Sequence, residues 1–135
     1  MVNRSVWTQT FPSEWASIGL ARQFVRSALR QPSAVPADVV CDVELAVSEL
    51  TTNGIRHGSG DPVKVDLQLE SHRVTMSVTS TLAPGHRRDS APWAPSGPSG
   101  AIGRGIGIVR AVSTDLACQI IGQSMSASCR FPIEH

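Results

Sequence analysis

The chain has no dominant sign of charge. Its 12 Lys/Arg stand against 11 Asp/Glu, a net of +1 over 135 residues. That balance makes no electrostatic case for nucleic acid or an anionic membrane as partner. Long apolar runs are also missing, so nothing reads as a membrane helix, and the N-terminal stretch lacks the apolar core of a signal peptide. Cysteine is scarce: Cys41, Cys118 and Cys129 are widely spaced, each inside an apolar periodic segment. They read as small buried hydrophobes in a reducing, cytoplasmic setting, not as a disulfide frame or a zinc site. Lysine is nearly absent. Lys64 is the only one and lies in a strand-like run, which excludes a Gly-Lys-Ser/Thr phosphate loop.

What remains is an ordinary globular composition, 41% hydrophobic and 17% charged. The length fits one domain, residues 1–135. Ser5–Phe11 alternates like a strand. Pro12-Ser13-Glu14 reads as a helix start with Ser13 as N-cap, followed by apolar residues at helical spacing from Trp15 to Leu29. Arg22, Arg26 and Arg30 fall on the other side, as a solvated face. Pro36-Ala37-Asp38 opens a second helix, which ends near Gly58. Val63, Val65, Leu67, Leu69 and then Val74, Met76, Val78 keep a period of two around a turn at Glu70–His72, predicting an antiparallel hairpin with one buried face. From Leu82 to Gly103 the chain is rich in Pro, Gly, Ser and Ala and has no periodicity, which predicts a long loop, either a functional lid or disordered. Gly103–Val112 reads as a glycine-rich turn entering a short helix. Leu116–Ile121 and Ala127–Ile133 read as two last strands joined at Gly122-Gln123. This order predicts a two-layer α/β sandwich, a mostly antiparallel (mixed) sheet with three helices on one face.

The second helix carries the first chemical signal. Glu49, Asn53 and His57 are four apart, which stacks them along one side with a drift of about 40° per step. Val39, Val43, Val47 and Leu50 form an apolar stripe on a neighbouring face, so the polar row runs along the edge of a packed layer. A carboxylate, an amide and an imidazole in a row offer a general base, a neutral oxygen for a hard cation and a phosphate contact. Read alone, the row is equally a solvated stripe.

The second signal is Gly103-Arg104-Gly105-Ile106-Gly107, where main-chain N–H groups and a helix N-terminus can approach an anion. A dinucleotide fingerprint needs a further glycine where Val109 and Arg110 stand, and an early βαβ unit. The segment satisfies neither requirement.

In this order the elements and motifs resemble the GHKL ATPase superfamily, whose ATP-binding unit is the Bergerat fold. The wording Ser48-Glu-Leu-Thr-Thr-Asn-Gly-Ile-Arg-His-Gly58 is similar to its bacterial anti-sigma factor/serine kinase branch. The resemblance implies that Asn53 holds Mg²⁺ on the triphosphate of ATP and that Glu49 orients or deprotonates a serine hydroxyl. It places His57 near the phosphates, with Gly103, Arg104, Gly105, Ile106, Gly107 and Ile108 wrapping them. Residues 82–102 become the ATP lid, with Arg87, Arg88 or Arg104 available to the γ-phosphate. The implied activity is a serine/threonine protein kinase acting on an anti-sigma antagonist, with a sigma factor as a further partner. A homodimer is compatible with it.

One position departs from the family. The strand before the lid ends there in an aspartate that accepts the adenine amino hydrogen, and the equivalent here is Ser80. No Asp or Glu lies between Glu70 and Asp89. A charge-assisted hydrogen bond contributes roughly 1.5–3 kcal/mol, against about 1 for a neutral one. Two functions therefore stand side by side: a working kinase, or a non-catalytic partner-switching module with weakened ATP binding.

Overall fold

The computed structural model describes residues 4–30, 35–84 and 100–133. In order these form β1 (Ser5–Phe11), α1 (Ala16–Arg30), α2 (Ala37–Arg56), β2 (Val63–Leu69), β3 (Arg73–Thr81), α3 (Gly100–Val112), β4 (Thr114–Ile121) and β5 (Ser124–Pro132). The strands make one sheet in the order β1-β2-β3-β5-β4, and every pairing is antiparallel.

The period-two pattern explains which face is covered. Val63, Val65, Leu67 and Leu69 of β2 are buried, as are Val74, Met76 and Val78 of β3 and Met125, Ala127, Cys129 and Phe131 of β5. The register sets Val65 against Val78 and Val78 against Ala127, so these side chains share one face. The alternate residues (Asp66, Ser77 and Ser128 among them) are only half-buried and carry no helix. The helices lie over the apolar face, with α2 between α1 and α3 and in contact with β2, β3 and β5. This is the α+β two-layer sandwich expected. Each fully buried Val or Leu contributes about 1.5–3 kcal/mol of transfer free energy, which is why the alternation decides the side.

The α2 stripe is Val40, Val43, Val47 and Leu50, with Val40 taking the place expected of Val39. Pro36 caps this helix from outside its first turn. The start of α1 differs more. The Glu14 N–H bonds back to the Pro12 carbonyl at 2.8 Å, a tight turn that delays the helix to Ala16. Ser13 is therefore not its cap, and it is the Ser17 hydroxyl that donates to Pro12 O, at 2.7 Å. Nor is the arginine row of α1 wholly solvated: Arg26 clamps Glu44 of α2 with two hydrogen bonds, at 2.7 and 3.0 Å. That clamp holds the Glu44 carboxyl below its ordinary range.

Of the cysteines only Cys129 is buried. Its thiol is pushed up to about 12, chiefly by burial, so it is inert. Cys41 is exposed, against expectation. Gly122 turns β4 into β5 with φ 63°, the left-handed conformation that glycine adopts freely. Among the described residues no helix is long and apolar enough to cross a membrane.

Candidate functional site

The polar row of α2 is placed by helix geometry. Its drift turns successive residues inward: Glu49 is half-buried, while Asn53 is 3% and His57 8% exposed. The row thus starts at the rim of the helical layer and ends inside it. Asn53 Nδ2 is buried and has no hydrogen-bond partner among the described residues. Leaving such a donor unsatisfied costs about 1–3 kcal/mol. A natural core avoids that cost unless the group serves something else.

The foot of the row is fastened to the sheet. His57 closes α2, its N–H bonding to the Asn53 carbonyl at 3.0 Å, and its own carbonyl accepts Ala83 N–H at 3.0 Å. Ser59 N–H donates to Thr81 O at 2.8 Å, and Gly58 bridges to Leu82. Leu82 N–H in turn donates to Gln123 O at 2.7 Å, and its side chain is fully buried. The segment after β3 is therefore tied on both sides. The first two residues of the expected lid, Leu82 and Ala83, are thus held by main-chain hydrogen bonds. Most of that lid, 85–99, lies outside the described residues, Arg87 and Arg88 with it, and its last part, 100–102, is helical.

Two glycines make this junction. Gly54 lies inside α2, where glycine costs about 1 kcal/mol relative to alanine. A Cβ there would sit 3.2 Å from Ser80 Cβ and 3.3 Å from Ser80 Oγ. Ser80 is buried, 4% exposed, against that bare stretch of helix. A methyl on Gly58 would run into the Gly54 carbonyl oxygen. Sequence reasoning read Gly58 as the end of the helix and passed over Gly54; the signal for Gly54 was a glycine inside a strong helical pattern, which marks close packing.

The glycine segment is not the turn it was expected to be. Gly103, Arg104, Gly105, Ile106, Gly107 and Ile108 all lie within α3, which starts at Gly100. The physical reason is visible further on. Ile106 and Val109, 4% and 0% exposed, anchor the helix in the core and carry its register back through the glycines. In a helix only the first four N–H groups lack intrahelical partners, so free donors belong to the turn from Gly100, not to Gly105–Ile108. The side chain of Arg104 lies outside the described residues. Gly107 is open on its outer side, with nothing within 4 Å of a Cβ, and Ile108 is exposed.

The structure thus brings Glu49, Asn53 and His57 into one inward-turning row and sets Ser80 against the turn that carries Asn53. It also packs α3 along α2. Among the described residues no group of three His, Cys, Asp or Glu side chains could hold a metal ion. A cation here would be held by the Asn53 amide oxygen together with ligand oxygens, while the orphaned Nδ2, a donor, suits a phosphate oxygen.

Comparison with known proteins accords with this geometry. The profile of the family described as "Histidine kinase-like ATPase domain" matches residues 11–124. Among solved structures, the fold matches a chain described as the RsbU and RsbW domains of Rv1364c from Mycobacterium tuberculosis, with a TM-score of 0.73 at 15% identity. That match covers 97% of this chain and 33% of the other, so the present chain spans about a third of its length. No curated protein matches.

Proposed function

The chain belongs to the histidine kinase-like ATPase domain family, and from that premise we propose that it binds ATP with Mg²⁺ and phosphorylates a serine or threonine on a regulatory protein partner. The observation that carries the reading is the unpartnered, buried Asn53 Nδ2, a donor that suits a phosphate oxygen, in a row between Glu49 and His57. Asn53 would hold Mg²⁺ through its amide oxygen, and the ion when bound neutralises charge on the phosphates. Glu49, at the rim, is where a partner's hydroxyl can reach. Its carboxylate takes the hydroxyl proton as that oxygen bonds to the γ-phosphorus, while the bond to the β-phosphate oxygen breaks and ADP leaves. His57 supports the phosphate end, and the first turn of α3 supplies N–H donors and the positive end of its dipole.

The anti-sigma branch is the specific form we favour, with an anti-sigma antagonist as substrate and a sigma factor as second partner. The likeness to a chain containing an RsbW domain supports it. The cytoplasm is the compartment this role requires. The second reading, a non-catalytic partner-switching module, rests on Ser80, a neutral buried hydroxyl at the adenine end. Calorimetric titration with ATP, with Mg²⁺ present and then chelated, separates the two. The kinase reading expects binding that Mg²⁺ strengthens, and Glu49→Gln should leave binding intact while removing phosphotransfer. No detectable ATP binding at millimolar nucleotide refutes it and leaves the partner-switching module.

A further inference from the structure

The buried polar residues among those described are Ser17, Thr51, Asn53, His57 and Ser80, and none is a carboxylate. The Ser17 hydroxyl is spent on Pro12 O at 2.7 Å. Asn53 and His57 belong to the phosphate end of the site proposed above. Thr51 stands two residues before Asn53, about 200° round the helix and so on its far side. That leaves Ser80, which alone of these lies on the sheet, to meet the base of a bound nucleotide.

The setting of Ser80 is apolar. Its Oγ lies 3.3 Å from where a Gly54 Cβ would be, and Val63 Cγ2 lies 3.6 Å from the same point. Its neighbour across the sheet is Met125, itself 3% exposed. A hydrogen bond made here forms in a low dielectric and counts for more than one at the surface. It also has no fixed sense. A carboxylate only accepts, so it would hold a 6-amino group and repel a 6-oxo oxygen. A hydroxyl accepts or donates by turning about its C–O bond. Among the described residues no buried carboxylate stands by to override that choice.

We propose that the site takes 6-oxopurine nucleoside triphosphates, GTP among them, as readily as ATP, with Ser80 as the residue that reads position 6 of the base. This specificity rests on the nucleotide-binding reading above, whose base end it defines. Toward adenine the Ser80 Oγ accepts from the 6-amino N–H. Toward guanine or hypoxanthine it donates to O6. Neither base leaves the buried hydroxyl unsatisfied, so neither incurs the cost of an orphaned polar group. The affinity then comes mainly from the triphosphate, which both classes share.

Calorimetric titration of the full chain with Mg²⁺ tests it, using ATP, GTP, ITP and purine riboside triphosphate, which carries nothing at position 6. ATP, GTP and ITP should bind within about threefold of one another. The unsubstituted purine should bind about fivefold more weakly, the worth of one neutral hydrogen bond. Ser80→Ala, shown by circular dichroism to fold, should lower the first three to the level of the fourth. GTP or ITP bound more than about tenfold more weakly than ATP overturns the proposal. So does an unsubstituted purine bound as tightly as ATP, a comparison that needs wild type alone, or a gap between those two that survives in the folded Ser80→Ala. Failure of every triphosphate to bind is a different result: it removes the nucleotide reading itself, and this specificity with it.

Discussion

Asn53→Leu should make the nucleotide-free protein more stable and the nucleotide-bound state unreachable. Leucine has the branched shape of asparagine, so it fills the same space at a site 3% exposed without the unpartnered Nδ2. Removing an unsatisfied buried donor recovers about 1–3 kcal/mol. Leucine is also the better helix former, by a few tenths of a kcal/mol. For a domain of this size that is about 4 °C of Tm per kcal/mol, so a rise of about 4–12 °C. Wild type should gain stability from ATP with Mg²⁺, about 2.7 kcal/mol at a hundredfold excess over Kd, and the variant should gain none. Thermal unfolding with and without nucleotide reads both effects, and they have opposite signs. A free variant less stable than wild type by more than about 1 kcal/mol would mean that the amide is needed by the fold. Unchanged stabilisation by nucleotide and Mg²⁺ would mean that it holds neither.

Three further outcomes follow from other junctions. Ser80→Asp should tighten ATP binding about tenfold, ~1.4 kcal/mol, and sharpen preference for ATP over GTP in calorimetry. It should also lower the stability of the free protein, because a carboxylate would be buried without a partner; unchanged affinity would refute the adenine assignment. Gly58→Ala should destabilise by about 2 kcal/mol or more in urea unfolding, since the clash is with main chain and strains the fastening of α2 to β3. Arg26 holds the Glu44 carboxyl below its ordinary 4.5, so that contribution is complete above 4.5 and fades as pH falls through the lowered value. The stability gap between wild type and Glu44→Gln should close on acidification, and a gap independent of pH would show that the clamp does not titrate with the fold.

The sheet was legible because its signal is local. A period of two names the buried face without reference to any neighbour, and the hairpin from Val63 to Thr81 falls where the alternation puts it. The row Glu49–Asn53–His57 was legible for the same reason, through one helix and one spacing. What could not be read is non-local. The start of α1 depends on a turn at Pro12–Glu14, and the arginine face on a carboxylate 18 residues from Arg26. The burial of cysteines depends on which side of a helix meets a layer, and Cys41 falls on the outer side. The glycines of 103–107 look like a turn in a short window. Ile106 and Val109 make them helix by burying side chains that a window centred on the glycines does not weigh.

Ser80 and Gly54 were read separately in the sequence, one as a missing carboxylate and the other not at all. In the structure they are one feature. α2 approaches β3 closely enough that a methyl on Gly54 would be 3.2 Å from the Ser80 Cβ, and a larger side chain on Gly54 would push the layers apart. The helix carries a glycine at a cost of about 1 kcal/mol because a small residue faces it. The small size of residue 80 thus belongs to the packing of the two layers as well as to the ligand end of the site. Gly54→Ala should therefore be worse in wild type than its helix propensity implies, while Ser80→Ala, which removes the Oγ at 3.3 Å, should relieve part of the strain. The coupling in that double-mutant cycle, about 0.5–3 kcal/mol for residues in contact, measures how far packing alone fixes the hydroxyl. Zero coupling would return Ser80 to the ligand.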